Sequence, residues 1–154
     1  MTNYKFSIIT PEHSTANFPF LMELWESIKS QTYSDWEWIL YTNNSCNPGL
    51  LPASITSDPR VVVVHQPDVN SNIGYIKHHA FMAGTGDILV EADHDDVLFP
   101  TCLEKLNKEY NNPNVGFVYS DNIVYHMTGE FIPYNSAFGW THTTVKWKGN
   151  PYIA

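Results

Sequence analysis

One segment constrains the fold of this chain more than any other: a short apolar run that ends in a cluster of carboxylates. Residues 88–90 form the run, and Asp93-His94-Asp95-Asp96 follows it directly after two further residues. A run of this length between polar residues predicts a buried strand. Pro100 then favours the first turn of a helix over residues 101–110, because its fixed φ suits that position. The segment therefore predicts a strand, an acidic turn and a helix in direct succession.

The acidic turn has two interpretations. Asp93, Asp95 and Asp96 carry like charges at one strand end, and burying them unpaired costs free energy. A divalent cation removes that cost, and oxygen ligands suit Mg2+ or Mn2+. Alternatively, the turn is solvated and caps the following helix through Asp96. The local residues leave both interpretations open.

Length and composition indicate a soluble, cytoplasmic protein with a single domain over residues 1–154. The chain is long enough for a real core, and 43 % of its residues are hydrophobic. A formal net charge of −8 makes a nucleic acid an unfavourable partner. The start lacks the apolar segment of a signal peptide, and no 18-residue apolar stretch predicts a membrane span. Cys46 and Cys102 show no metal-ligand spacing and indicate idle thiols in a reducing compartment.

Strand-like and helix-like segments alternate along the first 119 residues. The apolar patterns predict strands at residues 5–10, 36–41, 60–65, 88–90 and 115–119, and helices at residues 18–30, 75–83 and 101–110. Pro11 is expected to stop the first strand before a polar loop, and the valine-rich third strand to be buried on both faces. A hairpin is predicted over residues 123–132. The alternation predicts a three-layer α/β/α sandwich with a mainly parallel central sheet.

Polar residues follow the predicted strands at the point where each strand ends. Thr10, Asn43, Asp93 and Asp121 occupy these positions. Ligands of such parallel sheets bind outside the carboxyl ends of the strands. We therefore expect the four residues to border one crevice.

Several segments of the chain match, in order, the motifs of one enzyme family. They are Phe6-Ser-Ile-Ile-Thr-Pro11, Ser27-Ile-Lys-Ser-Gln-Thr-Tyr-Ser-Asp-Trp-Glu37, Tyr41-Thr-Asn-Asn-Ser45, Asn72-Ile-Gly-Tyr-Ile-Lys77, Ala83-Gly-Thr-Gly-Asp87, Asp93-His-Asp-Asp96 with Pro100, and Val118-Tyr-Ser-Asp121. Together they resemble the family 2 glycosyltransferases over about residues 5–125. The resemblance implies a nucleotide-diphosphosugar transferase fold of the GT-A type, with a shortened acceptor region at the carboxyl end.

The resemblance implies roles for residues that would hold the donor. Thr10, Pro11 and Glu12 would line the pocket of the nucleotide base. Asn43 stands where the family usually has an Asp that accepts the N3 proton of uracil, and an Asn oxygen can still accept that bond. Lys77, at a position often held by Arg, would meet the diphosphate as a point charge.

The same resemblance implies roles for the acidic residues. Asp93 would contact the ribose or the metal, and Asp95 would bind the metal that bridges both phosphates. Asp96 would support the site, and His94 would be a spacer. Asp121 is the candidate for the base that deprotonates the acceptor hydroxyl, because no downstream segment matches the family's usual base motif.

Three functions remain open. The leading expectation is a glycosyltransferase, dependent on Mn2+ or Mg2+, that moves a sugar with inversion from a nucleotide-sugar donor to a carbohydrate or other hydroxyl acceptor. A UDP-sugar is the favoured donor. The second is a nucleotide-sugar-binding module without efficient transferase activity, because the base segment is not recognisable. The third, a sugar nucleotidyltransferase, is disfavoured because residues 10–17 lack a Gly-rich loop with Arg and Lys.

The expected organisation follows from the extent of the resemblance. Residues 1–125 would form the nucleotide-sugar-binding part, and residues 126–154 a short acceptor-side or sheet-closing tail. A homodimer is left open.

Overall fold

The computed structural model describes residues 2–67, 72–120, 123–125, 131–133, 145–147 and 150–152. The chain divides into two compact units, residues 1–113 and residues 114–154. The expectation of one domain with a nucleotide-sugar-binding part at residues 1–125 stays a prediction.

The first unit is built on a four-stranded sheet in which all neighbouring strands are parallel. Its strands are β1 (Phe6–Ser14), β2 (Trp36–Ser45), β3 (Val61–Gln66) and β4 (Ile88–Glu91), in the spatial order β3-β2-β1-β4. Its helices are α1 (Phe18–Lys29), α2 (Ala53–Thr56), α3 (Ile73–Met82) and α4 (Cys102–Tyr110). The predicted helices at residues 18–30, 75–83 and 101–110 are therefore present, with ends that differ by one or two residues.

Helices cover both faces of this sheet. Side chains of α1, α2 and α4 pack on one face with alternate residues of β1 and β2, and side chains of α3 pack on the other face around Ile9, Ile39 and Tyr41. The buried face of α1 follows the helical period, with Leu21, Leu24, Trp25 and Ile28 nearly inaccessible to solvent. The predicted three-layer α/β/α sandwich with a mainly parallel sheet is confirmed.

β1 continues past Pro11, where the sequence predicted its end. The carbonyl of Ile9 accepts a bond from the amide of Ala92, so Ile9 directs its backbone groups towards β4. Pro11, two residues later, directs its backbone to the same side, but β4 ends at Glu91, opposite Ile9. The missing N–H of Pro11 thus faces a position without a partner strand, where proline is tolerated. The expected loop at residues 12–17 is instead the end of β1 followed by one 3₁₀ turn.

β3 and β4 are edge strands within the first unit, so two expectations of full burial were wrong. Among the described residues β3 pairs with β2 alone, and Val62 is 41 % exposed. In β4, Ile88 is buried but Leu89 is also 41 % exposed. A run of β-branched or aliphatic residues suits a strand in either place. The pattern therefore predicted the strands but not their positions in the sheet.

A hydrogen-bonded network centred on the buried carboxylate of Glu37 joins the amino ends of β1 and β2 to the segment before β4. The Glu37 carboxylate accepts hydrogen bonds from Lys5 Nζ at 2.6 Å, Ser7 Oγ at 2.7 Å and the amide of Thr85 at 2.6 Å. Burial by itself raises the pKa of Glu37, but these bonds outweigh burial and lower the pKa to about 2. A side chain at Gly86 would place its Cβ 2.7 Å from the backbone of β1, so this close approach requires glycine.

The described residues of the second unit form two antiparallel strand pairs. β5 (Ile123–Tyr125) pairs with β6 (Phe131–Pro133), as the predicted hairpin requires, and β7 (Val145–Trp147) pairs with β8 (Asn150–Tyr152). The hairpin turn lies outside the described residues. Residues 115–119, predicted as a strand, have no regular secondary structure. Among the described residues, no helix combines the length and the apolar character needed to cross a membrane.

Candidate functional site

Polar residues lie at the carboxyl ends of three parallel strands in the first unit's sheet. Glu12 of β1 pairs in register with Thr42 of β2, next to Asn43, and Asp93 follows the end of β4. Because parallel strands share an orientation, their carboxyl ends lie at the same edge. The structure therefore brings Thr10, Asn43 and Asp93, three of the four residues expected to border one crevice, to one edge together with Glu12. Asp121, the fourth, lies outside the described residues.

Thr10 is already occupied within the protein. Its Oγ1 donates to the carbonyl of Ala92 at 2.8 Å and accepts from the indole of Trp38 at 2.9 Å, and the residue is fully buried. The hydroxyl therefore ties the end of β4 to β1 and to β2. Its predicted place in the base pocket stays a prediction.

Asn43 and Tyr41, in the same part of β2, have buried polar atoms that lack hydrogen-bond partners among the described residues. Asn43 is fully buried, and among the described residues neither its Oδ1 nor its Nδ2 has a hydrogen-bond partner. Tyr41, two residues earlier and hence on the same face, has a buried hydroxyl that lacks a partner within the same part of the chain. Burial, and to a smaller extent the neighbouring Tyr75, raises the pKa of Tyr41, so the hydroxyl stays neutral. Each such group costs about 1–3 kcal/mol until something bonds to it.

Glu12 shows the same deficit at the end of β1. Its Oε1 accepts from the amide of Ser14 at 2.8 Å and from Asn17 Nδ2 at 2.9 Å. Its Oε2 is buried and has no partner in the part of the chain that the structure describes. One carboxylate oxygen thus remains available to a donor group of a ligand.

The acidic turn is folded around a pair of bonds between its first and last residues. Asp96 Oδ2 accepts from the amide of Asp93 at 2.9 Å, and the amide of Asp96 donates to the carbonyl of Asp93 at 3.0 Å. Burial, together with nearby Asp93 and Asp95, raises the pKa of Asp96, although the bond from the amide opposes this. α4 begins after Thr101, whose side chain makes no capping bond. The interpretation of Asp96 as a helix cap is therefore wrong.

A lysine from α3 reaches the acidic turn. Lys77 Nζ lies 3.1 Å from Asp93 Oδ1 and forms a second ion pair with the carboxylate of Glu91, the last residue of β4. Burial by itself lowers the pKa of Lys77, but the two carboxylates outweigh burial and raise it. The ammonium thus remains charged and is shared between two acidic side chains.

The sequence and its relatives identify the family. The family model described as glycosyl transferase family 2 matches residues 7–152. The chain belongs to this family. The predicted resemblance is therefore confirmed, over a longer span than residues 5–125.

Curated relatives of this family member are much longer than the chain itself. The O-antigen biosynthesis protein RfbC of Myxococcus xanthus is 29 % identical over 119 residues, which cover 75 % of this chain and 9 % of RfbC. The hyaluronan synthase of Streptococcus pyogenes is 25 % identical over 162 residues, which cover 96 % of this chain and 38 % of the synthase. The chain therefore spans well under half the length of these relatives.

Solved structures share the fold of this glycosyl transferase family 2 member. S. aureus TarS 1–349 in complex with UDP has a TM-score of 0.58 and 19 % identity, covering 70 % of this chain and 32 % of TarS. The mannosyltransferase PcManGT of Pyrobaculum calidifontis, in complex with GDP-Man and Mn2+, has a TM-score of 0.62 and 20 % identity. The match covers 75 % of this chain and 35 % of PcManGT. At these identities the likeness establishes the fold.

The chemistry of the acidic turn fits a hard divalent cation. Within the part of the chain that the structure describes, no three His, Cys, Asp or Glu side chains converge as a complete metal cage. Mg2+ does not need such a cage, since one or two carboxylates and substrate phosphates usually hold it. Asp93 already binds a cation, the ammonium of Lys77, and Asp95 is exposed beside it. The donor set therefore suits Mg2+ or Mn2+.

The sequence did not point to Glu91 or Tyr41, and one of its candidate residues lies outside the described part of the chain. Glu91 had a usable signal, because it precedes Asp93 by two residues and alternation puts both on one face. Tyr41 had none, because an aromatic residue within a strand is ordinarily core. Asp121 lies outside the described residues, so its role as base stays a prediction.

Proposed function

We propose that the protein is a metal-dependent glycosyltransferase that binds a nucleotide sugar, with a UDP-sugar favoured, and transfers the sugar with inversion to a hydroxyl acceptor. Family membership supports transfer of a sugar as the general activity. The observation that carries the donor site is the set of buried, unpartnered polar atoms on Glu12, Tyr41 and Asn43. They lie towards the carboxyl ends of β1 and β2, and the acidic turn follows β4, which pairs with β1.

The unpartnered atoms suit a nucleotide base. A base presents hydrogen-bond donors and acceptors side by side on a flat apolar ring, and the Asn43 amide offers one donor group and one acceptor in the same way. The Tyr41 hydroxyl, on the same face of β2 as Asn43, can donate or accept. Glu12 pairs in register with Thr42, so its Oε2 would add an acceptor from the other face, at the end of β1. Bonds to a base would remove the cost of leaving these groups buried and unpaired. TarS binds UDP and PcManGT binds GDP-Man, which supports a nucleotide ligand here.

The diphosphate would lie beside the acidic turn. Asp93 and Asp95 would hold Mn2+ or Mg2+, and Lys77 would contribute a positive charge to the phosphates. The bound cation would act as a Lewis acid on the leaving nucleoside diphosphate. Asp96 would keep the turn in shape through its bond to the amide of Asp93.

We propose Asp121 as the base that deprotonates the acceptor hydroxyl. Inverting transfer requires a carboxylate or similar base within hydrogen-bond reach of that hydroxyl. The proposal rests on the sequence, in which Asp121 belongs to a segment that resembles the family.

The unpaired thiols of Cys46 and Cys102 support a reducing compartment, so we propose the cytoplasm as the location.

Replacement of Asp95 tests the donor site. Asp95→Ala should remove the Mn2+-dependent part of UDP binding, at least about tenfold in affinity, because it removes a ligand charge from the cation. Asp95 is exposed, so thermal unfolding should hardly change. The measurement is titration calorimetry with UDP, with and without Mn2+. Asp35→Ala is the matched control, an exposed aspartate just before β2, at the opposite edge of the sheet.

Two results would contradict parts of this proposal. Equal Mn2+-dependent affinity in the wild type and in Asp95→Ala would remove Asp95 from the metal site. Absence of binding to UDP, GDP, CDP and dTDP alike would reject a nucleotide-sugar donor. Donor binding without transfer to a broad acceptor panel would favour the nucleotide-sugar-binding module instead.

A further inference from the structure

A three-residue salt bridge joins α3 to the end of β4. Lys77 Nζ lies 3.1 Å from Asp93 Oδ1 and 3.3 Å from Asp93 Oδ2, and it also pairs with Glu91. Glu91 is fixed by its strand, since it pairs in register with Ile9, which packs on the side of the sheet that α3 covers. One ammonium therefore serves two carboxylates that leave the sheet on the same side.

The ammonium engages both oxygens of a carboxylate that is proposed to bind the divalent cation. A divalent cation in contact with Asp93 and an ammonium in the same contact would repel each other strongly, because Coulomb energy rises as the distance falls. Only one of them can hold both oxygens of Asp93. Arrival of the cation therefore has to displace Lys77 from at least one of these oxygens, and repulsion then favours its departure from the other.

We propose that Lys77 occupies the cation position at Asp93 in the ligand-free protein and moves to the donor diphosphate when the divalent cation binds, with Glu91 as the positioning residue that keeps Lys77 beside the site. This inference rests on the proposed function. It assigns Glu91 a role in donor binding without contact to the reacting atoms. It also makes cation binding and diphosphate binding mutually supportive, since each favours the same position of Lys77.

The exposure of the three side chains suits an exchangeable contact. Glu91 and Asp93 have 48 % and 46 % of their side-chain surface exposed, and Lys77 has 27 %. Ion pairs at this exposure are weak, so water, a cation or a phosphate can compete for their members. A lysine side chain has four flexible carbons and can move between neighbouring partners without a change in the helix.

The first test measures Mn2+ binding in the absence of any nucleotide. Lys77→Met keeps the length of the side chain and removes the competitor, so Mn2+ should bind about tenfold more tightly than to the wild type. Lys108→Met makes the same charge change on the exposed side of α4 and should leave the affinity unchanged. Titration at about 0.5 M salt suppresses long-range effects of net charge. Unchanged or weaker Mn2+ binding by Lys77→Met would overturn the inference.

The second test separates positioning from simple structural support. With Mn2+ in excess, Glu91→Gln should weaken UDP binding about three- to tenfold and leave the affinity for uridine, which has no phosphate, unchanged. Lys77→Met should cause a similar loss, and the double variant should lose little more, since both act on the same contact. Glu109→Gln on α4 is the charge-matched control. An equal loss for UDP and uridine, or additive losses in the double variant, would overturn the role of Glu91.

The two tests also distinguish this inference from the proposed function. If the wild type binds no nucleotide, the proposed donor site fails, but the Mn2+ titration still decides whether Lys77 competes for Asp93. If Lys77→Met only lowers the unfolding temperature and changes neither Mn2+ nor UDP binding, the salt bridge merely fastens α3 to β4. That result would reject the inference and the contact of Lys77 with the diphosphate, while leaving the proposed base and metal contacts of the donor site in place.

Discussion

Asn43 differs chemically from the aspartate that the resemblance leads one to expect at this position. A carboxylate only accepts hydrogen bonds, whereas an amide donates with one atom and accepts with the other, and either orientation can be adopted. Within the described part of the chain, both polar atoms of the Asn43 amide are buried without a partner. If Asn43 contacts the base as we propose, it can meet several bases by turning its amide, and discrimination among nucleotides should be weak.

Asn43→Asp tests this effect on base choice. The wild type should bind UDP, dTDP, GDP and CDP with similar affinities, and the aspartate should shift preference towards bases with a ring N–H. We expect the ratio of UDP to CDP affinity to rise about ten- to a hundredfold, the effect of one hydrogen bond to a charged group. A calorimetric panel of the four diphosphates measures it. Asn47→Asp, the control, adds the same charge in the loop after β2 and should not change the ratio. A ratio that Asn43→Asp leaves unaltered would mean that Asn43 does not contact the base.

At the scale of elements, local pattern predicted the strands and helices but not how far each strand extends. A proline such as Pro11 predicts the end of a strand, because proline has no backbone N–H to donate to a neighbouring strand. In β1 its missing donor faces the side on which β4 has already ended, which depends on the register between β1 and β4. Such register is a non-local property. No pattern around Pro11 contains it.

The same limit explains the errors in burial. Residues 61–64 are four valines, a pattern typical of a strand covered on both faces, yet β3 lies at the edge of the unit's sheet. Glu91 was overlooked for a related reason, because its partner Lys77 is 14 residues away on another element. Positions of strands in a sheet and ion pairs between elements both follow from topology, which the alternation of segments leaves undetermined.

Glu37 links β2 to the segment before β4, and its pKa predicts how this link responds to acid. The pKa falls from an ordinary 4.5 to about 2 in the folded protein, so the fold favours the charged carboxylate. The resulting stabilisation is complete above about pH 4.5 and is lost as the pH falls towards 2. A shift of this size corresponds to about 3 kcal/mol in the free energy of unfolding.

Glu37→Gln should therefore destabilise the protein by about 2–3 kcal/mol at pH 7, because the Lys5 ammonium loses its charged partner. The difference from the wild type should shrink as the pH is lowered from 4.5 to 3. Urea unfolding at several pH values measures both effects. Glu26→Gln breaks an exposed pair with Lys29 and should cost less than about 0.5 kcal/mol at every pH. A deficit for Glu37→Gln that does not depend on pH would contradict the charged state of Glu37.

For the whole molecule, a net charge of −8 opposes the approach of the proposed anionic donor. Long-range attraction is unfavourable, so affinity has to come from contacts at short range. The proposed contacts are the base groups on β1 and β2, the ammonium of Lys77 and a divalent cation at the acidic turn. The sequence could predict that Thr10, Asn43 and Asp93 lie at strand ends, because they follow strands in short motifs, and their roles towards the donor stay predictions. The acceptor side could not be predicted in the same way, because no segment after Asp96 matches the usual base motif of the family.

Asp121→Asn is the prediction that tests the complete reaction. If Asp121 is the base, the substitution should lower sugar transfer by about two to four orders of magnitude, since the amide cannot take up the acceptor proton. Affinity for UDP with Mn2+ should hardly change, because Asp93, Asp95 and Lys77 are intact. Release of UDP from a panel of UDP-sugars, with and without hydroxyl acceptors, measures transfer and hydrolysis separately. Glu130→Gln removes the other carboxylate from the same part of the chain and should retain transfer. If Asp121→Asn retains full transfer while Glu130→Gln loses it, the base is Glu130; if neither variant loses transfer, the proton leaves through another residue or another chain.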